Sequence, residues 1–404
     1  MARTWTSVVF VRTVTAVGVV CLTASSAAPQ ATRAEQIAQQ KADKAAAQSQ
    51  PHTLEGGDRI LRKAKGFLLP EPPAVKLLLV GFRPGAGLGP GIAYIAPVGP
   101  KALWTTKAGW SLNNFKLAES ALDLSGLARD RLDLRAFARW EDAPRLAFFG
   151  VGDGTKTGDE VSYALRSTEV GLDAQVRPVR WFRLGAGVQY LGVTSGNGTG
   201  RHPSIGRTFT PDAAPGLGSR PAWLHSAASA AIDWRESPGY TRRGGLYQVT
   251  FHDYADRDGR YSFSRTEIDF RQFIPLLHEN WIIALQSRAE LADTAGDQTI
   301  PYFMLPYIGG GGTLRGYREY RFTDRNSLLL RGELRWTATS VLDMAVFTDR
   351  GKVASRWQDL NLRGLNSGWG FGARFHGPNF MALRLEAGRS AEGWRYHVAQ
   401  TVSF

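Results

Sequence analysis

The sequence predicts an all-β protein, a transmembrane antiparallel β-barrel of about 16 strands with one external loop inserted into its lumen. From about Gly87 to the last residue, segments of about eight to fifteen residues alternate between apolar and polar side chains. Glycine (45 residues) and tryptophan (12 residues) are abundant, as in barrels that span lipid. The polar set carries long charged side chains on strand after strand, which favours a wet lumen over a soluble sandwich.

The first 28 residues are typical of a secretory signal peptide. Arg3 and Arg12 precede an apolar stretch at 13–23, and small residues follow it. This stretch is too short to cross a membrane as a helix. It contains the only cysteine, Cys21, so the mature chain is expected to have no disulfide and no cysteine metal site. Residues 29–74 are expected to form a short periplasmic segment, flexible or partly helical, and residues 75–404 the barrel.

Alternation locates the strands. Around residues 328–336, for example, Leu330 and Leu334 alternate with Arg331, Glu333 and Arg335. Sixteen strands are predicted to begin near Leu88, Leu103, Phe115, Arg131, Arg145, Val161, Arg180, Ala222, Gly244, Arg260, Asn280, Ser327, Leu342, Gly368, Phe380 and Trp394. With the N-terminus in the periplasm, short turns at 113–114, 141–144 and 376–379 are periplasmic, and the long connections at 194–221, 300–326 and 350–367 are external.

Charge and polar residues exclude several functions. The net charge of +13 does not indicate nucleic-acid binding, because the basic residues alternate with apolar ones instead of clustering. No catalytic serine pattern is present, so no enzyme activity and no cofactor are expected. None of the histidines has metal-ligand spacing; they are His52, His202, His225, His252, His278, His376 and His397. Carboxylates between Asp153 and Glu160 are interpreted as a solvated hairpin tip, with a divalent-cation site as the alternative.

A glycine run carries the strongest functional signal. Gly309, Gly310, Gly311 and Gly312 are followed by Thr313 and then by Leu314, Arg315, Gly316 and Tyr317. Consecutive glycines allow a tight backbone path with positive φ angles. A loop of this kind can enter a confined space and present one bidentate guanidinium at its tip. No helical pattern follows the run, which argues against a phosphate-binding loop.

A second motif, Phe347-x-Asp349-x-Gly351, follows in an alternating strand. The two motifs together resemble those of the BamA/TamA superfamily of outer-membrane barrels (the bacterial surface antigen family). The resemblance implies that the Leu314–Tyr317 loop folds into the lumen and that Arg315 pairs with Asp349. Glu333 stands where the family often has a second acceptor. Phe347 and Asp349 share one face of their strand and are both expected to point inward.

The end of the chain carries a third resemblance. His397, Ala399, Val402 and Phe404 resemble the C-terminal signal by which assembly machinery recognises outer-membrane barrels. The family prefers glycine where Ala399 stands. Alternation continues to Phe404, so the last strand is expected to run to the end of the chain.

The resemblance implies a role at the bacterial outer membrane in the insertion or transport of proteins or lipids. Residues 29–74 are too short for a POTRA domain, so a POTRA-bearing periplasmic subunit is an expected partner, beside outer-membrane lipid and the barrel-assembly machinery. The family mechanism uses a weak seam, expected between Leu88–Ala96 and Trp394–Phe404. A passive channel with an arginine-rich lumen and a structural surface antigen remain the alternatives.

Overall fold

The computed structural model describes residues 74–276, 280–377 and 380–404. The predicted signal peptide and nearly all of the predicted periplasmic segment lie outside these residues.

Sixteen strands form one antiparallel sheet in which each pairs with the next. They are β1 (Ala74–Leu79), β2 (Pro90–Gly99), β3 (Ala102–Trp110), β4 (Lys116–Gly126), β5 (Leu132–Phe148), β6 (Val161–Val179), β7 (Phe182–Asn197), β8 (Ala222–Asp233), β9 (Gly244–Asp256), β10 (Phe263–Leu276), β11 (Trp281–Asp293), β14 (Asn326–Thr339), β15 (Leu342–Ala354), β16 (Asn366–His376), β17 (Met381–Ser390) and β18 (Gly393–Ala399). The predicted all-β, 16-stranded antiparallel fold is confirmed.

Smaller elements lie in the connections. A separate two-stranded ladder, β12 (Tyr307–Ile308) and β13 (Phe322–Thr323), interrupts the link between β11 and β14. A turn with left-handed backbone at Leu127–Asp130 follows β4, and the short helix α1 (Ile205–Thr208) follows β7. Single 3-10 turns occur at Thr157–Asp159, Tyr302–Met304 and Trp357–Asp359. None of the helices in the described ranges is long and apolar enough to cross a membrane.

The sheet curls so that one face is enclosed. Phe404, beyond the last strand, packs against Phe273 of β10 and Ile282 of β11. We call the enclosed space the lumen. On β14 the side chains of Leu329, Arg331 and Glu333 point into it and are buried. The outward residues are apolar and exposed on many strands, as Val346 is on β15. The predicted strand phase, with charges inward, is therefore confirmed.

The expected wet lumen is wrong for part of the sheet. Arg139 and Arg288 keep 28% and 32% of their side chains exposed. Arg331 and Arg384, by contrast, are each only 3% exposed. The reason is that the loop between β12 and β13 and the C-terminal residues cover these side chains. Arg331 Nη1 donates to the carbonyl oxygens of Gly312 and Ser403 at 3.2 and 2.7 Å. Arg384 Nη2 donates to the carbonyl oxygen of Gly311 at 3.3 Å.

Two errors in the predicted strand list cancel in the total. The first strand, β1, was missed because its sequence, AVKLLL, ends in three consecutive leucines and shows little alternation. The predicted turn at 141–144 is instead part of β5, which continues past Pro144 with an irregular register between Ala143 and Leu146. A bulge accommodates the proline because it releases the backbone from the ladder.

The predicted side of one turn changes in consequence. We call the end of the sheet that carries connections 198–221, 294–325 and 355–365 the loop end, and the opposite end the turn end. Strand order places Asn113–Asn114, between β3 and β4, at the loop end. The prediction that this turn lies opposite the long connections is therefore wrong, because adding β1 reverses the direction of β2, β3, β4 and the part of β5 before Pro144.

The predicted seam was also misplaced. Leu88–Ala96 overlaps β2, which pairs with both β1 and β3. The two edges of the sheet are β1 and β18, and no strand ladder joins them within the described residues. The last strand ends at Ala399, so the final five residues are not part of the sheet.

Candidate functional site

The glycine-rich loop is held inside the lumen by its own apolar residues. The β12–β13 ladder closes the base of the loop by pairing Ile308 with Phe322. Leu314, which is fully buried, and Tyr317 pack with these two residues and with Leu329 of β14. The ring of Tyr317 meets that of Phe322 edge-on at 5.2 Å between centroids. Burial of this apolar cluster therefore favours the inward position of the loop independently of its ion pairs.

Individual glycines are needed for different reasons. Gly309 and Gly310 adopt φ angles of 126° and 90°, which side chains disfavour. Gly316 lies so close to β17 that a Cβ atom would sit 2.8 Å from the Arg389 carbonyl oxygen. A Cβ at Gly312 would meet open space, so neither crowding nor a positive φ angle requires glycine there.

Arg315 contacts both carboxylates that the sequence selected. Its side chain is 0% exposed. Nε and Nη2 donate to the two oxygens of Asp349 at 2.7 and 2.6 Å, and the backbone N–H of Arg315 donates to Oδ2 at 3.1 Å. Nη1 donates to Glu333 Oε1 at 2.5 Å. The fork of the guanidinium thus binds Asp349 in a bidentate manner and still reaches a second carboxylate.

Sequence reasoning missed a third acceptor, Glu386 of β17. Its Oε1 accepts from Arg315 Nη1 at 2.8 Å and from Arg374 Nη2 at 2.8 Å. Arg374 and Arg335 both donate to Glu333, at 3.0 and 2.7 Å. The inward phase of Arg384, two residues before Glu386, was the signal that could have found it.

The network carries more positive than negative charge. Three carboxylates pair with five guanidiniums. The carboxylates are those of Asp349, Glu333 and Glu386, and the guanidiniums are those of Arg315, Arg331, Arg335, Arg374 and Arg384. Burial disfavours the charged form of Arg315, but attraction to Asp349, Glu333 and Glu386 outweighs it and holds the pKa of the guanidinium well above its usual value. Arg315 therefore remains charged, and its position depends on these partners.

The strand motif supports the same contact. Phe347 lies under the guanidinium, with Arg315 Cζ 3.5 Å from the ring centroid. Gly351 allows β12 to approach, since a Cβ there would lie 2.9 Å from Ile308 Cδ1. Phe347 and Asp349 both point inward and are buried.

The C-terminal residues also touch the loop. His397 Nε2 lies 2.8 Å from the carbonyl oxygen of Arg315. Ala399 ends β18, and Val402 is half-buried beyond it. Phe404 is 5% exposed and lies under the guanidinium of Arg331, at 4.9 Å. The four residues selected as an assembly signal are thus not on one continuous strand in the folded chain.

Phe404→Ala is expected to lower the free energy of unfolding in detergent by about 3 kcal/mol, because it empties a buried aromatic site between Arg331, Arg335 and Phe273. Urea unfolding of refolded protein measures this without the assembly machinery. Val402→Ala, at a half-buried position, should cost less than about 1 kcal/mol. Equal effects of the two changes would show that the tail is not docked.

Glu319 gives the loop a pH dependence. Its Oε1 accepts from the Gly311 N–H at 3.0 Å. Burial raises the pKa of Glu319 from 4.5 to about 7, although this hydrogen bond opposes the shift. Between these two values the folded chain retains a proton that the unfolded chain has lost, so stability falls as pH rises through this range.

Glu319→Gln should therefore stabilise the protein relative to wild type by about 1 to 2 kcal/mol at pH 8 and by nothing at pH 4. The amide oxygen can still accept from Gly311. Unfolding curves at the two pH values measure the difference. Glu392→Gln is the control, because Glu392 is paired with Arg321 at 2.5 Å and its loss should destabilise at pH 8. A gain at pH 4 equal to that at pH 8 would contradict titration of Glu319.

Other sequence candidates do not assemble into a site. The Asp153 carboxylate accepts from Asn366 Nδ2 at 2.8 Å, and Glu160 accepts from Arg318. His225 and His252 lie on neighbouring strands, with Nε2 of His225 2.9 Å from Nδ1 of His252. Among the residues that the structure describes, no group of three histidines, cysteines or carboxylates could hold a metal ion.

Comparison with known proteins gives a consistent result. Residues 128–392 match the Omp85 superfamily domain. BamA from Haemophilus ducreyi lacking POTRA domains 1–3 is similar at 11% identity and a TM-score of 0.58, over 85% of this chain and 76% of that one. CdiB from Escherichia coli is similar at 14% identity and a TM-score of 0.53, over 82% and 61%. CdiB from Acinetobacter baumannii is similar at 13% identity and a TM-score of 0.50, over 77% and 56%.

This chain therefore spans less than two thirds of either CdiB chain. At these identities the structural likeness shows a shared fold. No curated protein sequence matches the chain.

Proposed function

Because the chain belongs to the Omp85 superfamily, we propose that it lies in the bacterial outer membrane and aids the insertion or transport of proteins or lipids. A POTRA-bearing subunit is proposed to supply the periplasmic part. Superfamily membership and the resemblance of the loop and strand motifs support the class of function.

One observation carries the proposal: the sheet has two short edge strands that do not pair with each other among the described residues. β1 has six residues and β18 has seven. Their outward side chains are exposed and apolar, with Leu77 57% and Val398 61% exposed. An unpaired strand edge can bind another chain by adding a strand to the sheet.

The loop is connected to one of these edges. His397 of β18 contacts the Arg315 carbonyl oxygen, and Ser390 Oγ at the end of β17 donates to the Gly316 carbonyl oxygen at 2.7 Å. Arg321 pairs with Glu392, between β17 and β18. A displacement of the loop would therefore act directly on the strand at which an incoming chain is proposed to pair.

The passive channel has less support. The arginines beside the loop are paired with carboxylates and buried, as Arg374 is with Glu333 and Glu386. A conducting pore with anion preference would need such side chains in contact with water.

The test compares vesicles containing the full-length chain with empty vesicles. A urea-unfolded eight-stranded outer-membrane barrel is added, and its insertion is followed by heat-modifiable migration on gels. Faster insertion with the chain supports the proposal. A rate equal to that of empty vesicles, with or without added periplasmic extract, contradicts it. Anion-selective conductance in planar bilayers without any insertion activity would favour the channel.

A further inference from the structure

A groove of about 560 Å³ lies on the outward face of the sheet, from Tyr247 of β9 across β10, β11 and β14 to β15. Small side chains leave it open at Ser287 and Gly332, and larger apolar ones, Phe270, Leu285 and Leu330, line it. Ladder pairing places Leu285 opposite Gly332 and Gly332 opposite Thr348. Arg350 also lines the groove, two residues along β15 from Thr348 toward the loop end.

The backbone conformation does not require glycine at position 332, which lies in this groove. Gly332 does not have a positive φ angle. A Cβ atom there would lie 3.8 Å from both Leu285 Cδ2 and Thr348 Cγ2, which is ordinary contact. Gly351 on the adjacent strand differs, because its Cβ would lie 2.8 Å from the Leu328 carbonyl oxygen. Glycine inside a strand weakens it, so Gly332 lowers stability and leaves a space.

Arg350 is an outward-facing cation without a partner. Its side chain is exposed, and its ladder neighbours are Leu330 and Ser367. Within the described residues no carboxylate or hydrogen-bond acceptor contacts its guanidinium. Arg166, the comparable outward arginine on β6, pairs with Asp142 at 3.6 Å. An anionic headgroup would stabilise a guanidinium at the edge of a lipid-facing surface, and the described residues supply no anion at Arg350.

The height of Arg350 on the sheet suits a lipid headgroup. Thr348 is opposite Trp369 on β16, whose ring is 55% exposed and lies 5.6 Å from that of Trp394 on β18. Exposed tryptophans on a barrel mark the membrane–water interface. Arg350 lies beyond Thr348 toward the loop end, where phosphates would be.

We propose that the groove binds an anionic phospholipid, with its phosphate at Arg350 and an acyl chain over Gly332. Charge complementarity identifies the occupant. Apart from Gln272, which accepts from the Tyr247 hydroxyl at 2.9 Å, the larger side chains of the groove are apolar, and Arg350 is its outward-facing cation. This inference depends on the barrel spanning a membrane and is independent of any cargo activity. A chain without insertion activity would still bind the lipid, because binding is measured separately from insertion.

Native mass spectrometry of the full-length chain in detergent measures lipid binding. The probes are dioleoylphosphatidylglycerol and dioleoylglycerol, which share acyl chains but differ in phosphate. The wild type should bind the first more tightly than the second. Arg350→Gln should raise the Kd for phosphatidylglycerol about ten-fold, as expected for loss of a hydrogen bond to a charged group. Gly332→Val should also raise it, while heat-modifiable migration is retained because a Cβ atom there makes only ordinary contacts.

Two matched variants are the controls. Arg166→Gln removes an outward arginine that is already paired. Ala138→Val partly fills a second outward groove of about 540 Å³, which is lined by no charged residue. Both should leave the Kd within about two-fold. The proposal is overturned if Arg350→Gln and Gly332→Val bind as wild type does, or if dioleoylglycerol binds equally well.

Discussion

Arg315→Ala is expected to lower the free energy of unfolding in detergent by about 3–5 kcal/mol. The change leaves Asp349 and Glu333 buried without the guanidinium that joins them. The tip of the loop loses four side-chain hydrogen bonds. A displaced loop also loses a fifth, from the backbone N–H of residue 315 to Asp349. Urea unfolding, followed by tryptophan fluorescence, measures the loss. The loop should also become sensitive to protease.

The pair is tested by a double-mutant cycle. Asp349→Ala should cost a similar amount, and the double variant should be little worse than either single one, because both changes remove the same interaction. Arg315→Lys should restore little, since an ammonium cannot donate to both oxygens of Asp349 and also reach Glu333. Additive losses from the two single changes would contradict a direct contact.

Glu333→Ala is expected to have an effect at least as large as that of Arg315→Ala. Glu333 accepts from Arg315, Arg335 and Arg374, and all four side chains are at most 1% exposed. Its removal leaves three guanidiniums in a network that already has an excess of positive charge, so repulsion adds to the lost hydrogen bonds. We expect a loss of about 5 kcal/mol or failure to refold in detergent.

Glu267→Ala is the matched control. Glu267 is also an inward carboxylate, but it is 29% exposed, and its partners are Arg288 Nη2 at 3.6 Å and His252 Nε2 at 3.7 Å. Water can solvate the remaining cation when the carboxylate is removed, so the change should lower the free energy of unfolding by less than about 1 kcal/mol. If Glu267→Ala is as harmful as Glu333→Ala, the severity does not come from burial of the network. Glu333→Gln, which keeps one acceptor oxygen, should fall between the two.

Local patterns predicted the sheet well. Alternation gave the inward phase of Arg331, Glu333 and Arg335, because the period of two in a strand needs no knowledge of the partner strand. The two motifs selected Arg315 and Asp349, which are 34 positions apart and in contact. The resemblance to the BamA/TamA superfamily is confirmed by the match to the Omp85 superfamily domain.

Features that depend on neighbours in space were not predicted. Glu386 lies on a strand whose register with the loop is set by packing at Gly316 and Gly388, and glycine spacing alone does not reveal this. The inward turn after Ala399 breaks the alternation rule, because Phe404 gains more from packing on Phe273 and Ile282 than from extending the strand. β1 is short and adjoins a proline-rich segment, so it gave a weak signal.

The central claim is that the glycine-rich loop lies inside the lumen against the last strand. A disulfide tests it, since a Cβ at Gly311 would lie 3.4 Å from that of His397, near the roughly 3.8 Å typical of disulfides. The variant carries Gly311→Cys and His397→Cys with Cys21→Ser, which removes the only natural cysteine. The control replaces Gly311→Cys by Gly312→Cys, because a Cβ at Gly312 has no atom within 4 Å.

Non-reducing gels of folded protein after mild oxidation report the cross-link. The 311–397 pair should form a disulfide nearly completely, with a mobility shift that reductant reverses, and the 312–397 pair should form little. Folded protein in which the 311–397 pair stays reduced, or in which both pairs cross-link equally, would show that the loop does not occupy this position.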